Sequence, residues 1–135
     1  MIWSVTEDKI MSKADQTKKC AISNKVRERV RERDDGECIF CKMGYHAASE
    51  KRLANDFGYQ GRQIMHFVSR ARGGLGIEEN LAIGCTLHHM LYDNGAHGEH
   101  AEMKPLFEDY LRSLYPEWNE QMLVYNKWAE MEAAL

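Results

Sequence analysis

The sequence predicts a small α+β domain in which two short strands are framed by helices. Three observations carry that expectation. Apolar residues recur at helical spacing at Ile22, Val26 and Val30, and again at Met103, Leu106, Phe107, Tyr110, Leu111 and Leu114. Two short runs of strand character lie between those stretches, one around Ile64 to Val68 and one at Leu81, Ala82 and Ile83. Two ligand pairs, Cys38-Ile-Phe-Cys41 and Cys85-Thr-Leu-His88, stand on either side of the first strand. With 135 residues, 44% of them hydrophobic, the chain can bury only a modest core, and a structural metal adds materially to the stability of a core that size.

The elements follow in order. Residues 1–20 are polar, lack a clear period and read as a loose arm. A helix starts near Ile22, with Ser23 or Asn24 as its cap. Its other faces carry Arg27, Arg29, Arg31 and Arg33, and Asp34-Asp35-Gly36 stops it. Residues 42–61 hold three glycines and read as loop, with a short helix over residues 47–53. A strand spans residues 62–68, and a flexible, basic, glycine-rich loop follows from Ser69 to Gly76. After the second strand a helix runs from Thr86 to about Asp93, closed by Asn94-Gly95 as a left-handed cap. Two more helices are expected, over residues 102–115 and 120–133, the second burying Leu123, Trp128 and Met131. The chain thus divides into an arm (1–20), a core (21–95) and a C-terminal helical extension (96–135). No internal repeat or low-complexity segment interrupts it.

Charge is uneven along the chain. Residues 18–72 hold thirteen lysines and arginines against seven carboxylates, whereas residues 73–135 hold three against eleven. A basic half beside an acidic half suits a nucleic-acid binder with a solvated outer tail; a salt-bridged surface is the plainer alternative. The first residues lack the basic-then-apolar layout of a signal peptide, and no apolar run reaches transmembrane length, so a cytoplasmic chain is expected. In that setting the four cysteines argue for metal rather than disulfides. Cys20, outside the two pairs, reads as a semi-buried free thiol. Cys38, Cys41, Cys85 and His88 then supply a structural zinc with four tetrahedral ligands, stapling the 43 residues between the pairs. His89 is the alternative fourth ligand; consecutive helical residues point about 100° apart, so only one of the two faces the zinc.

Four motifs occur in one order: Arg33-Asp-Asp-Gly-Glu-Cys-Ile-Phe-Cys41, His66-Phe-Val-Ser-Arg-Ala-Arg-Gly-Gly74, Glu79-Asn-Leu81 and Cys85-Thr-Leu-His-His89. Together they resemble the HNH endonucleases, and more narrowly the zinc-knuckle type of phages and mobile elements. The likeness covers roughly residues 26–93. It implies a ββα-metal fold, a hairpin carrying His66 and Asn80 packed on a helix carrying His89. It implies that His66 is the general base and that Asn80 braces the loop and the base or touches the metal. His89 would ligate a catalytic divalent ion such as Mg²⁺ or Mn²⁺, with Asp93, one turn later, as a second ligand. DNA is the implied partner, met by Arg27 and Arg31 on the first helix and by Arg70 and Arg72 beside the base, with phage packaging or recombination proteins as further partners. Family members often carry Asp or His directly before the base as a metal ligand. Met65 stands there, and a thioether is a poor partner for magnesium or manganese. A catalytically weak or inactive zinc-bound nucleic-acid-binding module is therefore the rival reading, and a zinc domain docking a protein through its acidic C-terminal helices is the third. His46, His97 and His100 are expected on the solvated surface.

Overall fold

The computed structural model describes residues 17–48 and 59–125. Residues 17–20 are helical, and Cys20, only 3% exposed, is buried against the body of the protein, so the arm is not loose at this end. Helix α1 (Asn24–Arg33) starts where the Ser23 hydroxyl accepts the Val26 N–H at 3.2 Å. It ends where Asp35 and Gly36 take positive φ and turn the chain toward the first cysteine pair. A five-residue helix, α2 (Ile39–Met43), sits inside the knuckle and stops at left-handed Gly44. Strands β1 (Gln63–His66) and β2 (Leu81–Gly84) pair antiparallel, with Met65 opposite Ala82 and His66 opposite Leu81. Helices α3 (Thr86–Asn94) and α4 (Glu99–Leu114) pack on each other, and a 3-10 turn (Glu120–Leu123) closes the described chain. The fold is mixed helix with a small two-stranded sheet, as the sequence predicts at the level of α+β.

Alternation along the hairpin divides the interior into two layers. Ile64, Leu81 and Ile83 meet Ile22, Val26 and Val30, so the apolar stripe that marks α1 in the sequence covers one face of the sheet. Met65 and Ala82 belong to the main core with Phe40, Phe67, Leu87, Leu91 and Tyr92. The same core takes Met103, Phe107 and Leu111 from α4, then Trp118 and Leu123, so it is continuous across residue 95. Phe107 sets its ring edge-on or steeply tilted to Phe40, Phe67 and Tyr92, with centroids 6.1, 5.3 and 5.2 Å away.

Polar contacts fix how α1 meets this core. Asp34, 1% exposed, accepts the Ile83 N–H at 2.9 Å, the Tyr110 hydroxyl, and two Arg33 N–H groups at 2.8 and 3.1 Å. Arg33 also donates to the Glu78 and Leu81 carbonyls at 2.8 and 2.6 Å and to Tyr115. Arg33 is therefore a clamp between α1, β2 and α4, unlike its outward neighbours Arg29 and Arg31. Burial alone would lower its pKa, but its bonds to Asp34 and Tyr115 outweigh that and raise it.

Several local expectations change. The strand is shorter than residues 62–68. Gly95 is extended at φ −61° rather than left-handed; a Cβ there would lie 2.4 Å from the Leu91 carbonyl oxygen, so close approach explains the glycine. Helix α4 starts at Glu99, three residues early, because left-handed Gly98 caps it and the Glu99 carboxylate accepts the His97 N–H at 2.7 Å. In place of the start of a helix over 120–133 there is the 3-10 turn, followed by extended Val124; Trp128 and Met131 lie outside the described residues. Residues 47 and 48 are not helical, and the rest of the 47–53 expectation, like residues 1–16, lies outside them too.

Candidate functional site

The two ligand pairs meet because each is the start of a helix. Cys38 caps α2 and Cys85 caps α3, each sulfur accepting the N–H three residues on. A helical start puts Cys41 and His88 one turn from their partners, facing the same point. His88 Nδ1 lies 3.5, 3.4 and 3.2 Å from the sulfurs of Cys38, Cys41 and Cys85, and Cys41 Sγ lies 3.8 Å from Cys85 Sγ. Tetrahedral zinc, with bonds of about 2.3 Å to sulfur and about 2.0 Å to nitrogen, separates its ligands by about 3.8 Å (S to S) and about 3.5 Å (S to N). The four donors fit that ion, and the cluster can hold a structural metal such as zinc. His88, fully buried, is the ligand; His89, the alternative, faces away. No described cysteine is in a disulfide. The thiols share charge unequally: a hydrogen bond from Cys85 lowers the pKa of Cys38, that shared bond raises Cys85, and burial raises Cys41. A dication at the centre would offset the burial and shared proton that keep the latter two protonated.

A second group of polar side chains forms where β1 ends beside α3. His89 Nε2 lies 2.9 Å from Asp93 Oδ2, one helical turn later, and His89 Nδ1 contacts Gln63 Oε1. Nε2 thus faces the Asp93 carboxylate, and Nδ1 is taken up by the Gln63 side chain. Adjacent ligands of an octahedral ion with bonds near 2.1 Å lie about 3.0 Å apart, so His89 and Asp93 fit as one edge of such a site. They are two ligands, however; among the described residues the only set of three or more at ligating distance is the cysteine–histidine cluster.

His66 closes this group from the hairpin side. The Cys20 backbone lies beside its ring, and Nε2, buried, has no hydrogen-bond partner. Burial holds the imidazole below the ordinary histidine range; the Cys20 backbone and Asp93 oppose that, while Arg70 and His89 add to it. A neutral imidazole with one unpartnered nitrogen suits proton abstraction. Met65 offers nothing here. It is fully buried, and its sulfur lies 2.3 Å from where a Gly84 Cβ would stand, so the thioether is packed over that glycine.

Asn80 sits behind the base rather than in the cleft. Wholly buried, it accepts the Val68 N–H at 2.8 Å and donates to the Val68 and Leu75 carbonyls at 3.1 and 2.8 Å. Those bonds span the basic loop, and of the two roles open to Asn80 the geometry fits the brace. The loop is pinned elsewhere as well. Gly76 N–H bonds the Lys19 carbonyl, Leu75 N–H bonds Leu123, and Tyr125 N–H bonds Gly73. A Cβ on Gly74 or Gly76 would lie 1.7 or 2.2 Å from a backbone oxygen, so these glycines permit contact, not flexibility. Arg70 and Arg72 project from the loop and are exposed; Arg31 is exposed on α1, and Arg27 is half-buried.

The cleft has one wall that the motifs do not mark. His100 and Lys104 of α4, with Glu120, line it opposite His66. His100 is exposed as expected, but on α4 rather than in a loop; it donates Nδ1–H to the Tyr92 carbonyl at 2.6 Å and its ring tilts against Tyr92. The signal for both residues was their four-residue spacing on an amphipathic helix. No protein-family model, curated protein or solved structure matches this chain.

Proposed function

We propose that the chain is a metal-dependent endonuclease of the HNH type that hydrolyses DNA phosphodiester bonds, nicking or cutting both strands, with zinc at Cys38, Cys41, Cys85 and His88. The observation that carries the reading is that one cleft is lined by His66, whose Nε2 has no hydrogen-bond partner, and by Asp93, which pairs with His89 one helical turn before it. A hairpin followed by a helix supports it, with the base on the first strand and the candidate ligands on the helix.

In this mechanism His66 Nε2 takes a proton from the attacking water. Asn80 keeps the loop after His66 in place. His89 and Asp93 would hold a divalent ion, which when bound stabilises the charge gathering on the phosphate and leaving oxygens. Arg70 and Arg72 contact flanking phosphates, and Arg27 and Arg31 add sequence-independent affinity that falls steeply with salt.

A second reading, a zinc-bound nucleic-acid-binding module without catalysis, is favoured by buried Met65 and by the two-ligand count at the second metal position. A plasmid-nicking assay on zinc-loaded protein with added Mg²⁺, Mn²⁺ or Ni²⁺ separates the two. The endonuclease reading expects nicking that His66→Ala abolishes while retaining DNA affinity and zinc. Cleavage by wild type no greater than by His66→Ala under every metal leaves only the binding module.

A further inference from the structure

The cavity beside His66, about 430 Å³ in volume, is larger than attack by one water requires. It lies in the size range of small-ligand sites. Its walls come from the hairpin and loop (His66, Arg72), from α3 (Asp93), and from α4 and the turn after it (His100, Lys104 and Glu120). Two cations thus face two carboxylates, and the cavity is close to neutral as it stands. A divalent ion at His89 and Asp93 would turn it strongly positive and make it a site for anions.

Lys104 is placed to use that charge. Its Nζ lies 5.5 Å from the centre of the Phe67 ring, and Phe67 directly follows His66. Phe67 is fixed in turn, since its carbonyl accepts the Tyr92 hydroxyl at 2.8 Å. The partner of Lys104 is Glu120, 3.1 Å away, and the two side chains are 41% and 48% exposed. Ion pairs this exposed are weak, so one acceptor can replace another at small cost. A phosphate oxygen entering the cavity offers Lys104 a bond of the same kind that Glu120 offers now.

We propose that this cavity receives the sugar–phosphate backbone of the DNA strand to be cut, and that Lys104 exchanges Glu120 for a phosphate there. Lys104 is then a positioning residue on α4, outside every motif that resembles a nuclease. The inference rests on the endonuclease reading for its substrate but not for its chemistry, because it concerns binding.

The test is a salt titration of duplex-DNA affinity by fluorescence anisotropy, on zinc-loaded protein with Ca²⁺ as the added divalent ion and a cleavage-resistant phosphorothioate duplex. Lys104→Ala should weaken binding about threefold to tenfold and lower the slope of log K against log salt by about 0.9, the loss of one phosphate contact. Lys104→Arg should restore the slope. Glu120→Gln should tighten binding about twofold to fivefold, as expected for releasing one exposed ion pair, and that gain should vanish in a Lys104→Ala background. Arg112→Gln, about 12 Å further along the helix, controls for loss of charge alone. An unchanged slope in Lys104→Ala, an equal loss in Arg112→Gln, or a Glu120→Gln gain that survives without Lys104 each overturns the exchange, and the endonuclease reading is untouched by these results. Wild type that binds DNA with the expected slopes but never cuts it upholds the exchange and removes the enzyme. Wild type that does not bind duplex DNA at low salt removes both.

Discussion

Replacing Asn80 by alanine tests the link between fold and chemistry most directly. The side chain is fully buried and makes three hydrogen bonds, all to the backbone of Val68 and Leu75. Alanine leaves those backbone groups unpaired, at about 1 kcal/mol each, so Asn80→Ala should cost about 3 kcal/mol. That is a large part of the roughly 5–15 kcal/mol that holds a domain folded. Urea unfolding of zinc-loaded protein measures the total. Limited trypsin digestion measures the loop, since Arg70 and Arg72 are exposed cleavage points on backbone that Asn80 holds. If the brace acts locally, cleavage there should speed up by about two orders of magnitude. A shift below about 1 kcal/mol with unchanged digestion would show that the contacts to Lys19, Leu123 and Tyr125 hold the loop alone, and the reasoning would be refuted.

Other perturbations read other parts of the design. One zinc per chain is expected by atomic spectroscopy. Its removal by chelator, or Cys41→Ser, should lower the melting temperature sharply, because the cluster ties α2 to α3; zinc should restore the chelated protein, and a Tm indifferent to chelator would refute a structural metal. Asp34→Asn removes the only carboxylate among the described residues bonded to the half-buried Arg33, and a loss of about 3 kcal/mol in urea is expected; a loss under about 0.5 kcal/mol would mean that the backbone carbonyls alone satisfy the guanidinium. Nicking should rise with pH only in the acidic range and level off by neutrality. On the endonuclease reading the working form of His66 is unprotonated, and burial puts its pKa below the ordinary value of about 6.5 despite nearby Asp93. A rate still climbing one-for-one with pH above 8 would point to a base other than His66.

Some of this was legible in the chain because the physics was local. Cys-x2-Cys and Cys-x2-His bring ligands together over single turns, and the four-residue step of Ile22, Val26 and Val30 writes out a face that one sheet surface covers. The choice of His88 over His89 needed the orientation of α3. Asp34 looked like a helix stop, yet its burial depends on Ile83 and Tyr110, 49 and 76 residues away. Gly74, Gly76 and Gly95 looked like flexible or left-handed positions; each is dictated by a backbone oxygen from another part of the turn or chain. The far wall of the cleft carries no motif, because a lysine on an amphipathic helix is ordinary until Phe67 is seen beneath it.

The C-terminal extension is where the resemblance is weakest and where its removal should matter most. The likeness ends near residue 93, which invites a shorter nuclease ending at Gly95. Packing argues against it. Met103, Phe107, Leu111 and Leu123 are wholly buried and Trp118 nearly so, all in the core that holds Phe40, Phe67 and Tyr92. Burying each such side chain is worth about 1.5–3 kcal/mol, so five together are worth about 7–15 kcal/mol, comparable with the whole stability of a small domain. The cut would also strip Tyr110 from Asp34 and Tyr115 from Arg33. Chain 1–95 should therefore lack a cooperative thermal transition even with zinc present. A zinc-loaded 1–95 fragment that melts cooperatively would show that the helix beyond Gly98 is an accessory; one that does not would show that α4 is part of the folded body, supplying both core side chains and Lys104 to the cleft beside His66.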